Sequence, residues 1–136
     1  MKAIAGLLCL WSLSASAATP EAWYGKWVER SATPMTLVVE PAGAAARFTY
    51  HMPPNFKPTM VMSFETAFDG KEVPVLVDGK PSGEVMMIKR IDDRHTVSAW
   101  KIDGKPAGTS TSEMSADGKA VRVDTGKTST VYWDKQ

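Results

Sequence analysis

The sequence predicts an all-β fold in which about eight to ten short antiparallel strands form one up-and-down barrel. Residues 23–136 are rich in β-branched and aromatic residues and show no apolar repeat of the helical period. The tripeptide Asp-Gly-Lys occurs four times, at positions 69–71, 78–80, 103–105 and 117–119. Asp-Gly accepts the positive φ values that tight hairpin turns require, so these repeats indicate a meander of neighbouring strands.

The N-terminus, residues 1–17, has the pattern of a cleavable signal peptide. Lys2 supplies a positive charge, an apolar run follows, and small residues precede a cleavage position after Ala17. The apolar run is about half of the ~20 residues that a membrane-spanning helix needs, which disfavours the alternative of an N-terminal anchor. We therefore expect residues 18–136 to form a periplasmic or secreted domain without a membrane span. Cys9 lies in the removed segment, so the mature domain has no disulfide and no thiolate ligand.

Ten strands are predicted in order along the domain, each ending at turn residues. Pro41 and Gly43 end the second strand, Pro53 ends the third, and Asp92 begins the turn after the sixth. Pro74 interrupts the fifth strand. If this strand is an irregular edge and another end strand frays, the barrel has eight strands, which is the alternative count. The predicted ranges are 24–30, 35–40, 46–52, 59–68, 73–77, 84–91, 95–102, 108–114, 120–125 and 128–133.

Apolar and polar residues alternate within these strands, so each strand has one apolar face. Phe48 and Tyr50 alternate with Thr49, and Met62 and Phe64 alternate with Ser63. Closing such strands into one barrel removes the exposed edges that an open sheet would leave. A two-sheet sandwich is the alternative. A barrel of eight or more strands either holds a ligand inside or is filled by its own side chains.

Two motifs resemble those of a known superfamily. Gly25-Lys26-Trp27, at the start of the first strand, matches the Gly-x-Trp signature of the calycins, which include the lipocalins and fatty-acid-binding proteins. Val131-Tyr132, in the last strand, resembles the ending of the fatty-acid-binding branch. Nearly all of the mature chain, most strongly from Phe68 onward, also resembles small exported bacterial lipocalin-like proteins of unassigned function. The resemblance implies a lipocalin-like barrel over residues 18–136, closed by Gly25 and Trp27 with a basic residue packed over the indole.

The resemblance also suggests where a ligand would bind. The fatty-acid-binding members hold a carboxylate with an Arg two residues before the C-terminal Tyr and with a second cation two strands earlier. Those positions are Thr130 and about Glu113 here, so only Tyr132 matches, and Arg122 is the substitute cation. Methionine adapts to irregular apolar surfaces, whether in a core or in a ligand site. The expected ligand-binding residues are Tyr132, Arg122, Phe64, Met60, Met62 and Met87.

Our primary hypothesis is a barrel that binds a small hydrophobic or amphipathic molecule in its interior. The first alternative is a protein-interaction module, such as an exported enzyme inhibitor, that inserts an N-terminal arm made of residues 18–22. Exposure of Trp23 or Trp133 would favour that alternative, because exposed aromatic side chains anchor protein interfaces.

A third hypothesis is a soft-metal carrier. Thioether sulfur suits Cu(I), and His51, Met60 and Met62 lie close together in the sequence. Under the primary hypothesis no metal is expected.

Catalytic residues are scarce, and we expect neither an enzyme nor a cofactor. His51 and His95 are the only imidazoles, and no phosphate loop or His-Glu metal motif is present. The Ser and Thr residues at 109–112 are interpreted as the polar face of an edge-like strand. The 16 Lys and Arg residues against 15 Asp and Glu residues also disfavour a nucleic-acid partner, because such proteins concentrate positive charge.

Overall fold

A computed structural model describes residues 21–126 and 129–136, in which a short 3-10 helix, Glu21–Trp23, precedes ten strands. All ten predicted strands are present, and those at 73–77, 95–102 and 120–125 match at both ends. The predicted signal peptide and residues 18–20 lie outside the described residues. The strands are β1 (Gly25–Glu29), β2 (Thr36–Ala42), β3 (Ala45–His51), β4 (Val61–Thr66), β5 (Val73–Val77), β6 (Lys80–Arg90), β7 (His95–Ile102), β8 (Lys105–Met114), β9 (Ala120–Thr125) and β10 (Ser129–Lys135).

The strands form a closed antiparallel barrel in which each strand pairs with the next along the chain. β1 pairs with β10 and closes the barrel, with Trp27 opposite Lys135 and Glu29 opposite Trp133. The predicted up-and-down barrel is therefore confirmed, and the sandwich is not formed.

Two of the four Asp-Gly-Lys repeats form the expected two-residue hairpin turns. Asp78 and Gly79 have φ values of 51° and 82°, and Asp103 and Gly104 have φ values of 51° and 80°. Positive φ at both central residues defines the turn type whose twist matches that of paired strands. In the repeat at 117–119 only Gly118 has a positive φ, and it lies within a longer connection between β8 and β9.

The repeat at 69–71 does not form a hairpin turn, so the prediction of a turn there is wrong. β4 and β5 pair only at Met62 with Val77 and at Ser63 with Leu76. The connection between them instead lies beside β6, where the Gly70 amide donates to the Ile88 carbonyl at 2.9 Å. The longer connection leaves a gap between β4 and β5.

The buried side chains collect at one end of the barrel, which we call the closed end. The rim of this end consists of the starts of odd-numbered strands and the ends of even-numbered strands. The buried side chains are Trp23, Trp27, Leu37, Val39, Ala46, Phe48, Phe64, Thr66, Phe68, Val75, Ile88, Thr96, Met114, Val121 and Trp133. The opposite end, which we call the open end, carries the β1–β2, β3–β4, β5–β6, β7–β8 and β9–β10 connections.

Trp27 forms the base of the closed end. It is 2% exposed, and its indole N–H donates to the Trp23 carbonyl at 3.0 Å. The Lys135 ammonium lies 5.3 Å from the centre of the indole ring. Gly25 makes room for this lysine, since a Cβ there would lie 2.9 Å from Lys135 Cε. This is the arrangement of tryptophan and overlying base that the resemblance implies.

Candidate functional site

Buried side chains fill the interior near the closed end, whereas the inward side chains towards the open end are only half-buried. A cavity of about 50 Å³ remains near the closed end, bordered by Trp23, Trp27, Tyr50 and Trp133 among others. That volume suits a water molecule, whereas sites for small organic ligands measure about 300–1,000 Å³. An organic ligand inside the barrel would therefore occupy the half towards the open end.

Tyr50 separates the two halves. Its ring lies 6.2 Å from that of Phe64 and 6.0 Å from that of Trp133, which it meets edge-on. Burial raises the pKa of the Tyr50 hydroxyl to about 12, so this group stays neutral at physiological pH.

One side of the open half is apolar. Strand alternation and register place its side chains on the inward face, where they are half-buried rather than sealed. Trp100 is held by a close backbone approach, because a Cβ on Gly108 would lie 2.4 Å from its indole Cζ2. The apolar side chains are Met35, Tyr50, Met62, Met86, Trp100 and Val131.

The side of the interior formed by β7 and β8 carries three serines that border the open half, Ser98, Ser110 and Ser112, which we call the hydroxyl cluster. Ser98 lies directly opposite Ser110, and Ser112 lies opposite the buried Thr96, so all three face inward. None of the three hydroxyls bonds to another described residue. Among the described residues, Trp23 Nε1 is the one buried side-chain nitrogen or oxygen without a hydrogen-bond partner. The three serine hydroxyls also lack a partner but are not among the buried atoms, so the cluster is open to solvent.

Only part of the predicted ligand site lies in the interior. Phe64 is 4% exposed and stacks on Phe48 with the ring centres 4.9 Å apart, deep in the core. Met62 faces inward opposite Tyr50, in the open half. Met60 precedes β4, just outside the paired strand.

The other three predicted residues, Tyr132, Arg122 and Met87, face outward, which corrects the expectation that they contact an interior ligand. Tyr132 is 39% exposed, and its ring lies 4.8 Å from the Arg30 guanidinium carbon. Arg122 lies opposite Tyr132. The inward positions of these strands are taken by apolar residues such as the buried Val121, so the alternating residues point to solvent.

The sequence analysis does not identify the hydroxyl cluster, because the Ser and Thr residues at 109–112 resemble the polar face of an edge-like strand. Ser110 and Ser112 lie four and two residues before the buried Met114. Residues spaced by two share a strand face, so this spacing was the available signal.

The residues of the soft-metal alternative do not come together on one face. His51 is exposed on the outward side of β3, while Met62 faces inward on β4. Within residues 21–126 and 129–136, no group of three His, Cys, Asp or Glu side chains could hold a metal ion.

The features named for a protein-interaction module differ from what that hypothesis required. Trp23 and Trp133 are both buried and so present no exposed aromatic surface. Of the expected arm, residues 18–20 lie outside the described residues and the remainder belongs to the 3-10 helix.

No helix in the described part of the chain is long and apolar enough to cross a membrane.

The architecture defines a closed, ten-stranded, antiparallel β-barrel that is compatible with a calycin or lipocalin-like fold. No protein-family model, curated protein or solved structure matches the chain. The function must therefore be argued from the geometry of the barrel.

Proposed function

We propose that the protein is an exported, calycin-like barrel that binds a small, uncharged amphipathic molecule in the open half of its interior. The observation that carries the proposal is the division of this half into an apolar side and a side with unpaired hydroxyls. Export follows from the signal-peptide pattern of residues 1–17.

The apolar side would supply most of the binding free energy. Burying apolar surface contributes roughly 25 cal/mol per Å², and the half-buried Met62, Met86 and Trp100 still expose such surface. The two thioether side chains can adapt to the shape of a ligand. The indole of Trp100, held against Gly108, provides a flat and fixed surface.

The hydroxyl cluster would bind the polar part of the ligand. Its serine hydroxyls can donate and accept, and their water partners can be exchanged for a ligand hydroxyl or carbonyl. The positions at which fatty-acid-binding calycins carry cations are occupied by Thr130 and Glu113. Glu113 lies on the outer face with Oε2 3.2 Å from His95 Nε2, so neither position can neutralise an interior carboxylate. These features favour an uncharged ligand over a fatty acid.

Methionine methyl NMR tests this proposal with an internal control. Met86 faces the interior and the adjacent Met87 faces the outside, so isotope-labelled methyl groups report the two surfaces separately. Titration with dodecanol should shift the methyl signals of Met62 and Met86 and leave that of Met87 in place. An absence of saturable shifts at Met62 and Met86 would contradict interior binding.

Two comparisons test the chemical class of the ligand. Dodecanoate, with the same chain length, should bind more weakly than dodecanol, and tighter binding of the acid would refute the uncharged class. Ser110→Ala should weaken dodecanol binding by about 2- to 10-fold, the value of one hydrogen bond. Thr49→Ala, on the outward face of β3 and outside both pockets, is the control and should have no effect.

A further inference from the structure

A second pocket lies against the outward side chains of β6 to β8, and it is also bordered by Ser98 and Ser110, whose side chains face the interior. Its volume is about 500 Å³, within the usual range for small-molecule sites. It is lined by strands β6 to β9 together with the connection before β5. The outward side chains that form the site are Met87, Lys89, Val97, Ala99, Thr111 and Asp124.

The floor of this pocket is apolar across β6 and β7. Met87 lies beside Ala99, and Val97 lies in the next outward row, where it is 37% exposed. Thr109 and Thr111 continue these two rows on β8 and add hydroxyl groups. A ligand could therefore cover an apolar area and still find hydrogen-bonding groups at its edge.

The two charged residues of the pocket stand at opposite ends of one row. Lys89, Val97, Thr111 and Asp124 lie side by side on four successive strands. With neighbouring strands about 4.8 Å apart, this row is roughly 14 Å long. The two charges are therefore too far apart to form an ion pair with each other.

The charge at the Asp124 end is already compensated. Asp124 accepts hydrogen bonds from Thr130 Oγ1 at 2.6 Å and from Arg122 Nε at 3.2 Å. The bond from Thr130, followed by the charge of Arg122, holds the pKa of this carboxyl below its usual range. Asp124 thus has little demand for a further cation.

The Lys89 end carries an ammonium whose residue lies opposite Asp69 in an isolated bridge, while the Asp69 carboxylate pairs with Lys71 at 4.0 Å. The ammonium forms no ion pair with any residue in the described ranges. Its aliphatic stem lies beside Gly70, where a Cβ would be 3.7 Å from Lys89 Cβ. Gly70 has a φ of +82°, so a side chain there is also disfavoured by the backbone. The absent side chain leaves this edge of the pocket uncovered.

We propose that this outer pocket is a second ligand site, which binds a small anionic amphiphile. The apolar body of the ligand packs on Met87, Val97 and Ala99, and its single anionic group pairs with Lys89. The site differs from the interior one in both location and ligand charge, so it stands independently of the interior proposal.

Anilinonaphthalene sulfonate, an aromatic body with one anionic group, is the probe for this site. Its titration into the full protein should shift the Met87 methyl signal in a saturable manner and leave the Met86 signal unchanged. Shifts at Met86 or at the Trp100 indole without a shift at Met87 would overturn the proposal, as would the absence of saturation.

The contribution of Lys89 is tested by matched surface variants. Lys89→Gln should weaken binding of the probe by about 10-fold or more, since a hydrogen bond to a charged group is lost, while Lys89→Arg should retain binding. Lys26→Gln removes an exposed lysine from β1, away from the pocket, and should leave the affinity unchanged. Equal losses in Lys89→Gln and Lys26→Gln would show that attraction is nonspecific and would overturn the site.

Discussion

Replacing Trp27 by alanine tests whether the closed end is the main stabilising core of the barrel. The change removes a side chain that is 2% exposed, the 3.0 Å hydrogen bond to the Trp23 carbonyl and the surface beneath Lys135. Large aromatic-to-alanine substitutions in cores cost about 3–5 kcal/mol because a cavity remains and transfer free energy is lost. At roughly 4 °C per kcal/mol for a domain of this size, Tm should fall by about 12–20 °C.

Chemical denaturation followed by circular dichroism measures this loss as a free energy of unfolding. Phe56→Ala is the control, because Phe56 is an aromatic residue that is 40% exposed, and it should change stability by less than about 0.5 kcal/mol. Lys135→Met should cost about 0.5–1 kcal/mol, the value of a cation–π contact at an accessible site. A loss below about 1 kcal/mol for Trp27→Ala would refute the assignment of Trp27 to the core.

Two further predictions concern the interior and the β6–β7 turn. Gly108→Ala should displace the Trp100 indole, since the new Cβ would lie 2.4 Å from Cζ2, with a cost of about 1–3 kcal/mol for overpacking. A Trp fluorescence spectrum unchanged from that of the parent protein would contradict this. His95 has Nδ1 2.7 Å from Asp92 Oδ1 and Nε2 3.2 Å from Glu113 Oε2, and the bond to Asp92, followed by that to Glu113, raises its pKa. Its stabilising contribution is therefore complete below the unfolded pKa of about 6.5 and is lost as the pH rises through the folded pKa. The stability difference between the parent protein and His95→Gln should accordingly be larger at about pH 5.5 than at about pH 9, and a difference independent of pH would contradict the charged state of His95.

The strand pattern was predictable because its determinants are local. Hairpin turns such as Asp78-Gly79 and Asp103-Gly104 need only two residues that accept positive φ, and they mark the strand ends directly. The same signal was misleading at Asp69-Gly70, where the β4–β5 pairing stops early and the chain lies beside β6 instead. A dipeptide specifies a local bend, but contacts with the surrounding strands determine which strand lies beside that bend.

The candidate sites were less predictable because they depend on which face of each strand points inward. Tyr132 was expected in the interior from a family position and Arg122 as a substitute cation, yet their neighbours Val121 and Trp133 take the buried face. Ser110 and Ser112 share the face of the buried Met114, although their sequence resembles an exposed strand. Alternation shows which residues of a strand share a face, but only the neighbouring strands determine which of the two faces points inward.

Met86 and Met87 show most directly the difference between local sequence signals and contacts made in the folded barrel. The sequence alone determined an all-β chain with ten strands and their order, because turn residues and β-propensity act over a few neighbouring positions. It did not identify which of the two adjacent methionines faces the interior, and Met87 was expected there, although Met86 shares a strand face with Ile88 and Met87 shares one with Lys89. In the folded barrel Met86 packs against the buried core, whereas Met87 lines the outer pocket. That choice depends on contacts between residues far apart in the chain, which only the tertiary structure brings together.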